Sequence, residues 1–296
     1  MLTRIFWFGV LLTQAAHAQT FTEKISKELS FEKPSADNAL IIANLNGSVE
    51  VMGYDGDRIV VEVTRSIHAK TDARLEKGKA EVQLAVIDRA DTLIVYVQDG
   101  CHQFTKNDRQ SRHSSEPFPG WGYHAQYAKD CHPEYDYTMS FIVKVPASIH
   151  VIANTINNGN VAVKNVNGVV KAGNINGSIS LANLKSQAEA TTINGDLDIE
   201  YANNPGKACR FYSLNGDINA SFQQGLSADI AFESFNGSFY TNILKIERLP
   251  QKMEKSSHGD GIHYKINGDR YQVGRGGALL DFETFNGNVY LKEKIN

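Results

Sequence analysis

The chain has 296 residues, a formal net charge of −3 at pH 7 and an apolar content of 42%. This composition is sufficient for an ordinary folded core. No block of like charge is present, so we expect neither a nucleic-acid partner nor a polybasic membrane contact.

The first 18 residues have the features of a secretory signal peptide. Arg4 gives a short positive region, residues 5–12 form an apolar run, and Ala16-His17-Ala18 fits the small-x-small cleavage rule. The apolar run is too short to span a bilayer, which argues against the alternative of an uncleaved anchor. We therefore expect cleavage after Ala18 and a soluble, exported protein in the periplasm or at the cell surface, with no transmembrane span.

The N-terminal half of the mature chain predicts longer strands. A polar lead-in covers residues 19–38, and the first copy of a repeat lies between Leu40 and Met52. Alternating apolar residues then predict strands over 58–65 and 138–145 and a hairpin of strands 81–88 and 92–98, while residues 71–79 suit a short helix.

The dipeptide Asn-Gly recurs along the chain and marks the repeats. From Asn158 the steps to the next copies are 9, 9, 18, 21 and 21 residues. A period near 20 residues is typical of a solenoid. The fold expected is all-β: a single-stranded β-solenoid with a longer-stranded N-terminal part. The predicted structural turns are Asn176-Gly177, Asn194-Gly195, Asn215-Gly216, Asn236-Gly237 and Asn286-Gly287.

Asn-Gly suits a tight turn because both residues tolerate positive φ. Stacked coils would lie about 4.8 Å apart, so that buried Asn side chains could hydrogen-bond along the stack. We expect two inward apolar stacks, one formed by the residue before each Asn-Gly and one by the second residue after it. The first stack is Ile175, Ile193, Leu214, Phe235 and Phe285, and the second is Ile179, Leu197, Ile218, Phe239 and Val289.

The repeats run from residue 148 to residue 243, and residues 244–274 interrupt them as an extended loop or hairpin. Residues 274–291 then close the structure with a last coil. Residues 45–51, 143–146, 192–197 and 273–289, in that order, resemble the DUF4097 family of adhesin-like β-strand-repeat proteins. The resemblance covers most of residues 39–291 and implies one β-solenoid domain that is frequently placed in the cell envelope. It implies no catalytic motif.

The segment 99–137 departs from the repeats, because it is rich in cysteine, histidine and aromatic residues. Cys101 and Cys131 flank a long polar loop in a chain expected to meet an oxidising compartment, which favours a disulfide between them. A metal site of Cys and His is the alternative, although no CxxC or HxxxH spacing is present. The aromatic residues either form a recognition loop or pack over the solenoid end. The candidate recognition residues are Trp121, Tyr123, His124 and Tyr127.

The remaining cysteine, Cys209, should point inward with Phe211 and form a buried, inert thiol. Asp196 and Asp217 occupy equivalent turn positions on neighbouring coils, and their expected separation resembles a retaining carboxylate pair. A turn residue that caps the backbone explains them equally, because Ser178, Ser238 and Asn288 occupy the same position elsewhere.

These observations predict a non-catalytic binding or scaffold module of the envelope that recognises a protein or a glycan. No cofactor is expected. Two alternatives remain: a carbohydrate-active enzyme of the β-helix type, and a metal-binding envelope protein that uses the insert at 101–132.

Overall fold

The computed structural model describes residues 19–106, 121–125, 131–251, 253–258, 261–266 and 268–294. The predicted signal peptide, Tyr127 and Asn267 lie outside these residues, as does the side chain of His124. The described chain is nearly all β and contains one helix, α1 (Asp72–Glu81).

The described strands fall into three groups along the chain. Those of the N-terminal part are β1 (Gln19–Leu29), β2 (Ala39–Ala43), β3 (Val49–Tyr54), β4 (Ile59–Ala69), β5 (Gln83–Asp88), β6 (Thr92–Gln98), β7 (His102–Lys106), β8 (Trp121–Ala125) and β9 (Tyr135–Pro146). Those of the repeat region are β10 (His150–Asn154), β11 (Val161–Lys164), β12 (Val170–Gly173), β13 (Ile179–Leu184), β14 (Ala188–Asn194), β15 (Leu197–Tyr201), β16 (Cys209–Asn215), β17 (Ile218–Phe222), β18 (Ala228–Asn236) and β19 (Phe239–Thr241). The last are β20 (Ile246–Leu249), β21 (Met253–His258), β22 (Gly261–Ile266), β23 (Asp269–Val273), β24 (Ala278–Asn286) and β25 (Val289–Glu293).

Two large open sheets hold most of the strands. The first sheet has the order β1-β4-β9-β3-β11-β13-β15-β17-β25-β19. The second has the order β20-β23-β18-β24-β16-β14-β12-β10-β2-β6-β5. The hairpins β7–β8 and β21–β22 form separate two-stranded sheets.

Each repeat unit supplies one strand to the second sheet and its next strand to the first. Consecutive units pair in parallel, as β14 does with β16 and β15 with β17. In spatial order the units cover residues 39–54, 150–164, 170–184, 188–201, 209–222, 278–293 and 228–241. No single unit can bury its own apolar face, so neighbouring units stabilise one another.

The core lies between the two sheets and is formed by alternate residues of each strand. Leu197, Ile218 and Val289 are fully buried, as is Ile179. Phe239 is half-buried and packs against the same core. The second of the two predicted inward stacks is therefore present, because its residues occupy inward positions of the first sheet.

The first predicted stack is wrong, because its residues point outward. Phe235 is 74% exposed and Ile193 is 36% exposed, and Ile175 and Phe285 are similarly open. Alternation along each strand places the preceding residue inward instead, which is Thr192 on β14 and its equivalents. These hydroxyls are satisfied: Thr192 Oγ1 donates to the carbonyl oxygen of Gly177 at 2.8 Å, and Ser213 Oγ donates to that of Gly195 at 2.8 Å.

The Asn side chains form the predicted ladder, but at the surface and not in the core. Each Nδ2 donates to the Oδ1 of the neighbouring unit at 2.7–3.0 Å. The ladder runs through Asn157, Asn176, Asn194, Asn215, Asn286 and Asn236.

Close stacking explains the glycines better than positive φ does. Among the Asn-Gly glycines of the described chain, left-handed φ is confined to Gly47 (+119°), with Gly177 (+159°) at the limit of that region. A Cβ at Gly195 would overlap the carbonyl oxygen of Gly177, and one at Gly216 would overlap that of Gly195. Only glycine lets neighbouring units approach this closely.

The N-terminal elements agree with the sequence in type and differ in extent. The strand predicted over 58–65 extends to Ala69 as β4, and the helix ends at Glu81, with Thr71 as its N-cap. The predicted hairpin is β5–β6. The polar lead-in forms β1, which pairs antiparallel with β4 along its whole length.

The C-terminal repeat unit does not close the stack, which corrects the expectation from the sequence. β24 lies between β16 and β18, and β25 lies between β17 and β19. The unit 228–241 is therefore the outermost. Residues 244–274 leave the repeats only in part, because β20 and β23 extend the second sheet as antiparallel strands.

Candidate binding surface

The predicted disulfide lies within the insert, residues 99–137, and joins Cys101 and Cys131 with their Cα atoms 5.6 Å apart. From it the hairpin β7–β8 lies on the outer face of the second sheet. Phe104 forms a small apolar cluster there with Ile41, Ile94 and Ile152. These isoleucines alternate with core residues on β2, β6 and β10, so the insert covers apolar positions that would otherwise face solvent.

Two of the predicted recognition residues take part in this packing. The hydroxyl of Tyr123 lies 2.9 Å from the carbonyl oxygens of Ala43 and Val97 and accepts from the backbone N–H of Val97 at 3.0 Å. Burial raises the pKa of Tyr123 well above its ordinary value. Trp121 stacks on Phe104 at 5.6 Å, and the guanidinium of Arg89 lies 5.2 Å from the Trp121 ring centroid.

The carboxylate of Asp99 fixes the base of the insert. Its Oδ1 accepts from the backbone N–H groups of Cys101 at 3.0 Å and His102 at 2.7 Å. Its Oδ2 accepts from the hydroxyl of Tyr137 at 2.9 Å. Burial, with the adjacent Asp99 charge, raises the pKa of Tyr137. The described part of the insert is therefore held by packing and hydrogen bonds.

An apolar ridge on the second sheet remains uncovered. It consists of the residues that precede Asn-Gly in five stacked units, in the spatial order Ile175, Ile193, Leu214, Phe285 and Phe235. At about 4.8 Å per strand, four steps make the ridge about 19 Å long. Contiguous exposed apolar surface marks interaction sites more often than scattered single residues do.

The end of the ridge formed by the last two units in spatial order, 278–293 and 228–241, is aromatic. The rings of Phe235 and Phe285 are stacked with centroids 4.8 Å apart and an interplanar angle of 4°. On the outer face of the first sheet, Tyr240 and Tyr290 stack in the same way, with centroids 5.1 Å apart. Each pair hides one face of each ring, and the second faces of Phe285 and Tyr290 lie toward Leu214 and Asn219 of the next unit. A partner would therefore meet the ring edges and the outer faces of Phe235 and Tyr240.

Beside the phenylalanines lies a mixed charged group on the outer face of the second sheet. Arg210 Nη2 is 2.9 Å from Glu283 Oε2, and Arg210 Nε is 3.7 Å from Asp281 Oδ2. Burial raises the pKa of Asp281; Arg210 opposes this shift, and the carboxylates of Glu283 and Glu233 add to it. The ridge is thus bordered by carboxylates that Arg210 only partly compensates.

The carboxylates considered for catalysis are engaged with the backbone. Asp196 Oδ1 accepts from the N–H of Asp217 at 2.8 Å, and Asp217 Oδ1 accepts from the N–H of Asn288 at 2.7 Å. Ser178 Oγ accepts from the N–H of Asp196 in the same way. The geometry is that of turn capping repeated from unit to unit.

Three further observations concern metal, membrane and thiol chemistry. Within the residues that the structure describes, no group of three or more His, Cys, Asp or Glu side chains could hold a metal ion. No helix of that same part is long and apolar enough to cross a bilayer. Cys209 is buried, lies 3.1 Å from the hydroxyl of Tyr201, and has a pKa raised by burial.

The ridge does not follow from the sequence, because the apolar residues that form it are expected to point into the core. A signal is present in the alternation of β14, where Ala188, Ala190 and Thr192 share one face and Ile193 falls on the other. The repeat of Tyr three positions after Gly237 and Gly287 likewise indicates an aromatic pair on one face.

Comparisons with known proteins give structural neighbours but no family. No protein-family model matches the chain, and no curated protein matches it. The chain is similar to the crystal structure of a putative cell adhesion protein from Clostridium sporogenes, with 11% identity, 93% of this chain and 100% of that chain covered, and a TM-score of 0.46. It is also similar to putative adhesins from Bacteroides fragilis (10% identity, 92% and 97% covered, TM-score 0.36) and Parabacteroides distasonis (12% identity, 92% and 97% covered, TM-score 0.27). The DUF4097 resemblance is therefore not confirmed by a family model.

Proposed function

We propose that this chain is an exported, non-catalytic binding or scaffold module of the cell envelope, adhesin-like in character and built as a β-solenoid over residues 39–291. The parallel, in-register pairing of successive repeat units supports the solenoid. The disulfide and the features of residues 1–18 support export, since disulfides persist in oxidising compartments.

The observation that carries the proposal is the ridge. Stacked units hold its side chains in fixed register, so little conformational entropy is lost when a partner covers them. Fully burying a side chain such as Phe235 contributes roughly 1.5–3 kcal/mol, and the ridge presents five apolar side chains in a row. Burial of Phe235, the most exposed of the five, therefore supplies the largest single contribution to the binding energy that we expect.

A protein partner fits the ridge better than a glycan. Sugars bind aromatic side chains through ring faces; Phe235 and Phe285 cover one face of each other, and the second face of Phe285 lies toward Leu214. An apolar, extended protein segment can instead contact ring edges and aliphatic side chains along the whole row. The carboxylates beside the ridge favour a segment that also carries a basic side chain.

The alternatives lack a specific supporting observation. A carbohydrate-active enzyme would need carboxylates free to act on substrate, and those of Asp196 and Asp217 accept backbone N–H groups. The site of Cys and His considered for the insert would need thiolates, and Cys101 and Cys131 are bonded to each other. We therefore assign the chain a recognition role.

Site-specific photocross-linking in the producing cells tests the proposal. A photoreactive phenylalanine at position 235 is compared with one at Ile142, which is 49% exposed on the outer face of the first sheet. We expect one protease-sensitive adduct at 235 that disappears with Phe285→Ser and is absent at 142. No adduct at 235, or the same adduct at both positions, contradicts recognition through the ridge. A glycosidase-sensitive adduct contradicts the assignment of a protein partner.

A further inference from the structure

The position of the C-terminal repeat unit has a consequence for assembly. The unit 278–293 fills a slot between units 209–222 and 228–241, although both precede it in the chain. β24 pairs in parallel with β16 on one side and β18 on the other, and β25 pairs with β17 and β19. The chain therefore leaves the stack after Thr241 and returns to insert a unit between two others.

The inserted unit is a near-copy of its outer neighbour. When residues 278–291 are aligned with residues 228–241 at a constant offset of 50, seven of the fourteen positions are identical. The structure uses this same offset, because Phe232 is the register partner of Phe282 and Asn236 that of Asn286. The identical residues of the inserted unit are Ala278, Phe282, Glu283, Phe285, Asn286, Gly287 and Tyr290.

Contacts on both sides of the slot are of the same kind. Asn286 Nδ2 donates to Asn215 Oδ1 at 2.8 Å, and Asn236 Nδ2 donates to Asn286 Oδ1 at 2.9 Å. Between the backbones, Gly216 N–H donates to the Asn286 carbonyl at 3.0 Å and Gly287 N–H donates to that of Asn236 at 3.1 Å. Arg210 adds ion pairs to Asp281 and Glu283 on one side of the slot. A second copy of the chain presents the identical unit with all of these groups, so the slot has no means of distinguishing its own unit from that of another molecule.

A glycine-rich hinge leads into the inserted unit. Residues 242–277 separate the unit from β19, and Gly274 and Gly276, shortly before the unit begins, have left-handed φ of +61° and +74°. Because β20 and β23 hold part of this connection on the edge of β18, the hinge that must open is residues 274–277, Gly-Arg-Gly-Gly, and an opened hinge can lead into the slot of either molecule.

We propose that the unit 278–293 is exchangeable and that the slot accepts the same unit from a second copy of this chain. Two chains joined in this way each contribute Phe285 to the other's ridge. The pair would carry two complete ridges linked through residues 274–277 of each chain, whatever the ridge binds. This inference does not rest on the proposed function.

Exchange requires the closed molecule to open. Leu280, Phe282, Val289 and Leu291 are fully buried and become exposed when the unit leaves. The unit 228–241 can then pair directly with 209–222, because the register is the same. We therefore expect exchange to be slow at low temperature and to accelerate on warming, with the exchanged fraction increasing with protein concentration.

Cysteine cross-linking between two full-length variants tests this inference. Ser221 on β17 and Lys292 on β25 are register partners, so a disulfide can form between cysteines at these positions. One variant carries Ser221→Cys and one tag, and the other carries Lys292→Cys and a second tag. After warming together and mild oxidation, we expect a covalent dimer that carries both tags.

A matched control uses Lys164→Cys in place of Lys292→Cys. Lys164 lies on the same sheet, and it pairs in register with Met52 and Ala182 and not with Ser221. A chain with both Ser221→Cys and Lys292→Cys should lock its own unit and lose exchange. The inference is overturned if Ser221→Cys with Lys292→Cys yields no more mixed dimer than Ser221→Cys with Lys164→Cys, while the doubly substituted chain forms its internal disulfide fully.

Discussion

Gly216 and Gly287 are 71 residues apart in sequence, yet the carbonyl oxygen of Gly216 occupies the space that a Cβ on Gly287 would need. The same relationship holds for each successive pair from Gly47 to Gly237, in the spatial order of the units. The glycine of each repeat is therefore required by its neighbour in space. This contact also explains why the buried hydroxyl of Thr284 lies beside the Gly216 carbonyl, at 3.4 Å.

Because the glycines of neighbouring units are in close contact, adding one methyl group at these positions should lower the free energy of unfolding, whereas adding it at an open glycine should not. Gly216→Ala should destabilise the fold by about 1–3 kcal/mol, because two backbones must separate to admit the Cβ. Gly206→Ala is the matched control, since a Cβ there meets no atom within 4 Å, and its effect should stay within about 0.5 kcal/mol. Denaturant titrations of both variants measure the difference. Equal midpoints would contradict the stacking argument.

Two substitutions to aspartate separate the inward and outward faces of one repeat. Leu197 is fully buried, so Leu197→Asp places an unpaired carboxylate in the core and should cost more than about 4 kcal/mol. Ile193→Asp lies on the ridge and should leave the protein folded. Circular dichroism melts and limited proteolysis of both variants are the measurement. If Ile193→Asp were the less stable of the two variants, Ile193 would point into the core, as the sequence predicted.

Removal of the disulfide should make the insert more accessible to protease and leave the repeat units largely unaffected. Closing a loop of about 30 residues contributes roughly 3–4 kcal/mol in the chain-entropy model. With Cys101→Ser and Cys131→Ser, we expect faster protease cleavage within β7 and β8, while strands β10 to β17 remain protected. Cys209→Ala keeps the disulfide and serves as the control, so cleavage within β7 and β8 should stay at the wild-type rate. Uniform cleavage along the double variant would show that the insert supports the whole stack.

Alkaline pH should destabilise the fold through buried tyrosines. Burial raises the pKa values of Tyr123, Tyr137 and Tyr201, and burial with the adjacent Glu81 raises that of Tyr135. Since the folded state holds these protons more tightly, stability is intact below the unfolded tyrosine pKa of about 10 and falls as the pH rises above it. Phenolate absorbance and unfolding should change together above about pH 10. Complete ionisation of the tyrosines in a folded protein would contradict this assignment.

Much of the fold follows from local sequence patterns. Alternating apolar residues predict β4, β6 and β9, and the turn between β5 and β6 predicts their hairpin. The positions of Cys101 and Cys131 at the two sides of a long polar loop predict their disulfide. The phase of the repeat strands is harder to predict. Ile193 is more apolar than Thr192, so hydrophobicity favours it for the core, but the threonine hydroxyl is needed to satisfy the carbonyl oxygen of Gly177.

The spatial order of the last units does not follow from the sequence. Units 228–241 and 278–293 share the same frame, so either could follow unit 209–222 with the backbone pairing and the Asn ladder satisfied. Consecutive units are usually neighbours in space, which favours the wrong order for this chain. The candidate site escapes prediction for a related reason, since the ridge consists of apolar residues on the face opposite the core.

Because the units stack in the same register, the length of the ridge is set by the number of units. Each unit adds one strand spacing, about 4.8 Å, and presents one more side chain in the row. At one end of the second sheet β5 pairs antiparallel with β6, and at the other β23 and β20 follow β18 in antiparallel pairing, so the terminal strands differ from those they flank. Duplication or loss of a central unit would therefore lengthen or shorten the ridge by one strand spacing. The terminal strands of the second sheet would stay unchanged.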